Sequence, residues 1–218
     1  MRSLAAAVAA VMCASASNAA IVYDNGAPNG VSGYEATQYV EAEDFTPGTA
    51  ATITGAGVYL HGEGNLDNWD GHLRWYIFDN AGGEPGTLLQ TGLVNPAPID
   101  TGIDVMFTGS GHVYLLEFDL GQAFAAAAGT TYWFGIHAAA DEYFTFNGIF
   151  WSTTDSNDSF AYHESEGGTF DNWGSDGAHL AFYLTGEPVP EPATWTMMIG
   201  GFGLVGLVAR RRRCVRAT

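Results

Sequence analysis

Two loops of this sequence carry the side chains best suited to binding a metal ion. The first supplies the carboxylates of Asp67 and Asp70, and the second supplies those of Asp155 and Asp158. Calcium takes about six to eight oxygen ligands, and loops between strands often provide them. Neither loop has EF-hand spacing, and Asp and Asn favour turns for conformational reasons alone. A Ca²⁺ site at these aspartates and ordinary turn chemistry are both open interpretations.

Two tryptophans lie in loops rich in Gly, Asn and Asp. An exposed indole can stack on a sugar ring while neighbouring side chains accept hydrogen bonds from its hydroxyls. We therefore interpret Trp69 and Trp173 as candidate carbohydrate-binding residues. The alternative is that both rings fold back over the domain. Trp75, Trp133 and Trp151 lie in strand-like patterns and are expected in the core.

The spacing of nucleophiles, histidines and carboxylates matches no catalytic template. The chain has neither a G-x-S-x-G elbow nor an H-E-x-x-H pair, and its 6 histidines occur singly. Among 24 acidic residues, two carboxylates at glycosidase spacing would meet by coincidence. We expect a non-catalytic protein with no catalytic residue, and keep a secreted glycan-active hydrolase as an alternative.

The charge of the chain is distributed unevenly. It has 24 acidic residues, 7 arginines, no lysine and a net charge of −17, and Arg74 is the only Lys or Arg between residues 20 and 191. This charge repels phosphate backbones, so nucleic acid is not an expected partner. Cys13 and Cys214 lie in the terminal segments, so the region between them has no disulfide.

The sequence pattern predicts that β-strands position these side chains. Residues 20–187 show short apolar or alternating runs separated by Gly, Asn, Asp and Pro. Leu73, Trp75 and Ile77 alternate and therefore share one face of a strand. Only residues 122–128 look helical, for one or two turns. The pattern predicts an all-β antiparallel two-sheet sandwich, jelly-roll-like as first choice and immunoglobulin-like as second.

The N-terminus has the pattern of a secretory signal peptide. Arg2 precedes a short apolar run, and small residues lead to a cleavage site between Ala19 and Ala20. The apolar run is too short to span a bilayer. We expect a signal helix over residues 1–19 that signal peptidase removes during export.

The C-terminus combines three features in a fixed order. Pro190, Glu191 and Pro192 come first, and their prolines mark a linker. Residues 193–209 are uncharged and predict a single hydrophobic helix, slightly short of a full span. An arginine cluster follows, which the positive-inside rule holds on the cytoplasmic side. Its members are Arg210, Arg211, Arg212 and Arg213.

These three features resemble the PEP-CTERM sorting tail of Gram-negative bacteria. The resemblance implies that an exosortase, a membrane protease, recognises Pro190–Pro192 and cuts near that motif. It further implies a precursor anchored in the inner membrane by the C-terminal helix. The mature protein would then reach the cell surface or extracellular matrix, beside exopolysaccharide production. The runs at 129–137 and 180–186 resemble β-sandwich domains that often precede such tails.

The chain therefore divides into four parts. We predict a signal peptide over 1–19, an acidic β-sandwich over 20–187, a sorting and anchor segment over 188–213 and a tail over 214–218. The expected function is that of an exported, exopolysaccharide-associated matrix or surface protein, with polysaccharide as a candidate partner. No cofactor other than Ca²⁺ is expected. A purely structural matrix component is the further alternative.

Overall fold

The described part of the chain is built from β-strands alone. The computed structural model describes residues 19–106, 111–140, 145–155, 161–164 and 169–189. These ranges contain fourteen strands and no helix, and hence no helix that is able to cross a bilayer. The strands are β1 Ala20–Asp24, β2 Gly33–Glu35, β3 Val40–Phe45, β4 Ala51–Gly62, β5 Leu73–Asn80, β6 Pro85–Val94, β7 Ile99–Asp104, β8 His112–Ala126, β9 Tyr132–His137, β10 Ile149–Thr154, β11 Tyr162–Glu164, β12 Trp173–Ser175, β13 His179–Leu180 and β14 Phe182–Pro188.

The twelve-residue strand β4 is the centre of an eight-stranded sheet. One edge of β4 pairs with β8, and the other edge pairs with β14 and then with β10. Strand β1 lies outside β14 and β7 lies outside β8, while β2 and β13 pair with β10. A second sheet has the six-strand order β12-β11-β3-β9-β5-β6. All pairs are antiparallel, so the predicted two-sheet antiparallel sandwich is confirmed.

Aromatic rings from both sheets fill the space between them. Phe134 of the six-stranded sheet stacks on Phe182 of the eight-stranded sheet, with ring centroids 5.4 Å apart. Trp151 meets both rings edge-on and donates its indole N–H to the Ala181 carbonyl at 2.7 Å. Burial of large aromatic surfaces in this way is the main source of stability in a domain without disulfides.

A second apolar cluster covers the outer face of the six-stranded sheet. Phe78 and Trp133 are buried there rather than between the sheets. Phe170 and Trp173 cover them, each in edge-on contact with the Phe78 ring. This sheet is therefore buried on both faces, which is unusual for an antiparallel sheet in a sandwich.

The helical turn expected over residues 122–128 is wrong. Strand β8 runs to Ala126, and its end pairs with β4 through Ala125 opposite Thr52 and Ala126 opposite Ala51. The β-ladder satisfies the backbone groups that a helix would have paired internally. Tertiary pairing here overrides the helix propensity of alanine. The predicted signal and C-terminal helices lie outside the described residues.

One buried carboxylate ties the two sheets together. Glu43 of β3 is fully buried, and its Oε2 accepts a hydrogen bond from the Leu180 backbone N–H of β13 at 2.8 Å. Its Oε1 lies 3.3 Å from Nδ1 of His179. Glu43 therefore joins the inner face of one sheet to a strand of the other.

Replacing Glu43 tests this link. Glu43→Ala leaves the Leu180 N–H buried without its acceptor, so we expect the free energy of unfolding to fall by about 1–3 kcal/mol. Glu43→Gln keeps one acceptor oxygen and should lose less. Urea unfolding followed by tryptophan fluorescence measures both. Glu84→Ala, at an exposed turn position, is the control, and equal effects at positions 43 and 84 would contradict the assigned role.

Candidate binding cleft

Two glycines on β4 let side chains of β14 lie directly on the outer face of the eight-stranded sheet. Gly57 pairs with Glu117 of β8 on one side and with Tyr183 of β14 on the other. A Cβ atom at position 57 would come within 2.2 Å of the Tyr183 ring. The ring therefore lies directly on the Gly57 backbone, and its hydroxyl reaches across to donate a hydrogen bond to the Glu117 carboxylate.

The next outward-facing position on β4 repeats this arrangement. Gly55 pairs with Asp119 of β8 and with Thr185 of β14. A Cβ atom at Gly55 would meet Thr185 Oγ1 at 2.7 Å and Asp119 Oδ1 at 3.6 Å. Glycine in a strand interior often marks such a close approach. Each glycine is thus flanked by one carboxylate and one hydroxyl group.

The paired residues on either side of Gly57 and Gly55 border a cleft. Its volume is about 280 Å³, near the lower end of the range for small-molecule pockets, about 300 Å³. The side chains converging on it are mainly hydrogen-bonding groups on three neighbouring strands, which fixes their spacing. The lining residues are Ala56, Glu117, Phe118, Asp119, Tyr183 and Thr185.

The electrostatics of the cleft are those of carboxylates without a neutralising cation. Arg74, the only Lys or Arg between residues 20 and 191, lies in the other sheet and donates to the Ala140 carbonyl at 3.2 Å. Burial first, and then the hydrogen bond and charge of Glu117, raise the pKa of Tyr183 above its ordinary value. Tyr183 is therefore a neutral phenol that donates to Glu117. Glu117 and Asp119 remain as acceptors for ligand hydroxyl or ammonium groups.

The tryptophans singled out from the sequence lie elsewhere. Trp69 is half-buried against the main core, and its indole N–H donates to the His72 carbonyl at 2.8 Å. Trp173 is half-buried in the outer cluster, stacked with Phe170 at a centroid distance of 6.2 Å. Neither residue lines the cleft. Their assignment to carbohydrate binding stays a prediction.

Two of the four candidate calcium ligands, Asp70 and Asp155, accept hydrogen bonds within the protein. Asp70 accepts from the His72 N–H at 2.8 Å and from the Ala140 N–H at 2.9 Å. Asp155 accepts from the Asn29 amide at 2.8 Å. Asp67 is exposed, and Asp158 lies outside the described residues. Within the described ranges no three His, Cys, Asp or Glu side chains are placed to hold a metal ion, and the calcium interpretation stays a prediction.

Of the two predicted processing sites, only the N-terminal one lies among the described residues. Ala19 and Ala20 are exposed, and Ala20 begins β1, where it pairs with Gly186 of β14. The sorting-motif residues from Pro190 to Arg213 lie outside the described part of the chain.

Sequence reasoning missed the cleft because its residues come from three distant segments. The available signal was the pair of glycines inside a strand-like run at 51–60, which indicates a close approach by neighbouring strands. The same glycines also favour a break between two short strands, 51–54 and 57–60, whereas the structure has the single strand β4. The flanking residues on β8 and β14 follow only from the strand register.

These features define an antiparallel β-sandwich domain with a small polar cleft on one outer face. Beyond it, residues 188–213 match the family model of the PEP-CTERM protein-sorting motif. The motif implies an exported protein that is processed by an exosortase. The match begins at the last residue of β14 and does not include the cleft. No curated protein matches the chain.

Substitution of Gly57 tests the geometry of the cleft. In Gly57→Ala the new methyl group displaces the Tyr183 ring, so we expect a loss of about 1–3 kcal/mol in the free energy of unfolding. Gly48→Ala is the matched control, because a Cβ atom there meets nothing within 4 Å. Thermal unfolding compares the two variants, and a Gly57→Ala protein as stable as Gly48→Ala would contradict the described contact.

Proposed function

We propose that the mature domain is a non-catalytic protein of the cell surface or extracellular matrix, and that it binds polysaccharide through the cleft on its eight-stranded sheet. The observation that carries this proposal is the register of three strands. It places Glu117 and Asp119 of β8 across the glycines of β4 from Tyr183 and Thr185 of β14. Carboxylates and hydroxyls fixed on adjacent strands are suited to a ligand that offers several hydroxyl groups at once.

The charge of the domain narrows the class of polysaccharide. An anionic polymer, such as one rich in uronic acids, would meet a strongly acidic domain and two uncompensated carboxylates in the cleft. A neutral sugar gives hydroxyl donors to these carboxylates, and an amino sugar also gives an ammonium group. We therefore favour neutral or amino-sugar polysaccharides over acidic ones.

Binding to purified glycans tests the proposal. We expect the domain spanning residues 20–189 to bind neutral or amino-sugar oligosaccharides on a glycan array. The double variant Glu117→Gln and Asp119→Asn should bind about tenfold or more weakly, since it removes two charged acceptors. Glu84→Gln, an exposed carboxylate in the turn between β5 and β6, is the isosteric control.

The other outcomes of this experiment separate the alternatives. Loss of binding in Trp69→Ala or Trp173→Ala, with normal folding and normal binding by the cleft variant, would place the site at the loop tryptophans. Release of shortened oligosaccharides from the array ligands would favour the hydrolase. No binding to any glycan would contradict the proposal and leave a structural matrix component.

The proposed route to the surface predicts the mature termini. We expect the protein recovered from the exterior of native cells to begin at Ala20 and to lack the arginine cluster. We also expect the unprocessed precursor in the inner-membrane fraction, held there by the hydrophobic segment. Mass spectrometry of both fractions measures this. An intact chain in the cytosol, with both ends unprocessed, would contradict the route.

A further inference from the structure

Two buried carboxyl groups meet at the edge of the six-stranded sheet. Glu41 of β3 is 1% exposed, and the side chain of Asp176, in the turn after β12, is 5% exposed. His163 brings the two residues together, since its backbone pairs opposite Glu41 and its Nδ1 lies 2.5 Å from Asp176 Oδ1. In the described part of the chain, no N–H or O–H group reaches Glu41 Oε2 or Asp176 Oδ2.

Two ionised carboxylates are not stable in such a contact. No Lys or Arg of the described residues forms an ion pair with either group, and like charges in a dry site repel strongly, so one group retains its proton. A proton on Glu41 turns its carboxyl into a donor and Asp176 into its acceptor. This satisfies both of the buried oxygens that otherwise have no partner. Burial first, and then the Asp176 charge, raise the pKa of Glu41 well above its ordinary value.

Groups on the neighbouring elements contact other atoms of Asp176 or add negative charge near Glu41. From β11, His163 binds the other Asp176 oxygen through Nδ1 at 2.5 Å. From β2, the Tyr34 hydroxyl donates to the Asp176 carbonyl, while Glu35 adds a further negative charge near Glu41.

Further residues of β3, β9 and the segment before β3 pack around Glu41 and His163. Glu43, the next residue on the same face of β3, binds the Leu180 N–H and lies beside His179 of β13. From β9, the apolar Ile136 pairs opposite Glu41. Tyr39 packs its ring against the His163 ring at a centroid distance of 5.1 Å.

Glu41 and Asp176 lie beside β11 and β12, the last two strands at one edge of the six-stranded sheet. His163 of β11 pairs directly opposite Glu41 on one side and opposite Gly174 of β12 on the other. A Cβ atom at Gly174 would come within 2.8 Å of His163 Nε2, so the imidazole lies over the glycine. The Asp176 N–H donates to the Ala161 carbonyl at 2.9 Å, which closes β12 onto β11. Strand β11 pairs with β3 at three positions, and the contact between Glu41 and Asp176 adds a side-chain link from the end of β12 to β3.

We propose that Glu41 keeps its proton at neutral pH and donates it to Asp176, and that loss of this proton at alkaline pH loosens the edge pair β11 and β12. This device is independent of the proposed polysaccharide binding, since neither residue lines the cleft.

The sign of the pH dependence follows from the direction of the pKa shift. The pKa of Glu41 is raised in the folded state, so the folded protein holds a proton that the unfolded chain releases. The stabilisation is fully present below the unfolded-state pKa and is lost as pH rises through the folded-state value. A carboxyl group whose pKa is lowered in the folded state would instead lose its stabilisation as the pH falls.

The decisive experiment compares wild type with Glu41→Gln between about pH 5 and about pH 9. The glutamine amide donates to Asp176 at every pH in this range and does not ionise. Within the titration window we expect the Tm of wild type to fall relative to Glu41→Gln by about 3–5 °C per pH unit. Glu84→Gln, at an exposed position, should follow wild type. Hydrogen exchange of β11 and β12 amides, compared at equal pH, should be faster in alkaline wild type than in Glu41→Gln.

Two results would overturn the proposal. One is a Tm profile of Glu41→Gln that is parallel to that of wild type over the whole range. The other is a rise in wild-type Tm with Ca²⁺ at neutral pH that Glu41→Gln lacks, which would mean that a cation rather than a proton joins the carboxyl groups. If Glu41→Gln does not fold, carbon-13 NMR of the wild-type carboxyl groups decides. We expect one Glu carboxyl to titrate above neutral pH, and titration of every carboxyl group below neutral pH would refute the retained proton.

Discussion

The fold depends on a single strand that is hydrogen-bonded along both edges. Strand β4 pairs with β8 over Ala51–Leu60 and with β14 over Ala51–Val58, so its side chains can only point into the core or out to solvent. The inward positions hold Ile53, Val58 and Leu60, all fully buried. Two outward positions, 55 and 57, are glycines, which lets Thr185 and Tyr183 lie close to the β4 backbone beside the cleft. Core and cleft are therefore two consequences of the same alternation.

The six-stranded sheet differs from the eight-stranded one because side chains are buried on both of its faces. Strand β3 alternates Val40 and Ala42 on the outer face with Glu41, Glu43 and Phe45 on the inner face. Burying carboxyl groups is costly unless each one is paired. Glu43 accepts the Leu180 N–H of β13, whereas within the described residues no N–H or O–H group reaches Glu41 Oε2. The two acids on one strand are therefore satisfied in different ways, Glu43 by a backbone donor and Glu41, in the proposed arrangement, by donating its own proton to Asp176.

The sequence predicts the elements much better than it predicts their assembly. Leu73, Trp75 and Ile77 share a buried face as their alternation indicates, because that pattern is local. The end of β8 was misassigned because Ala-rich segments favour helix unless a distant strand pairs with them. The cleft and the Glu41–Asp176 contact were not foreseen for the same reason. Asp176 lies 135 residues after Glu41 in the sequence, and only the register of β3, β11 and β12 brings them together.

The position of the sorting motif relative to the sandwich affects how the chain is processed. Strand β14 remains paired through Pro188, and the Val189 N–H donates to the Ala50 carbonyl at 2.7 Å. The Pro-Glu-Pro sequence therefore begins one residue after the last hydrogen-bonded position. A flexible spacer would decouple the domain from its sorting segment, but no such spacer separates them here. Ala20, the first residue after the predicted signal-peptide cleavage site, pairs with Gly186 of the same strand β14. The last paired residue of the sandwich, Pro188, is therefore also the first residue of the segment that matches the PEP-CTERM motif.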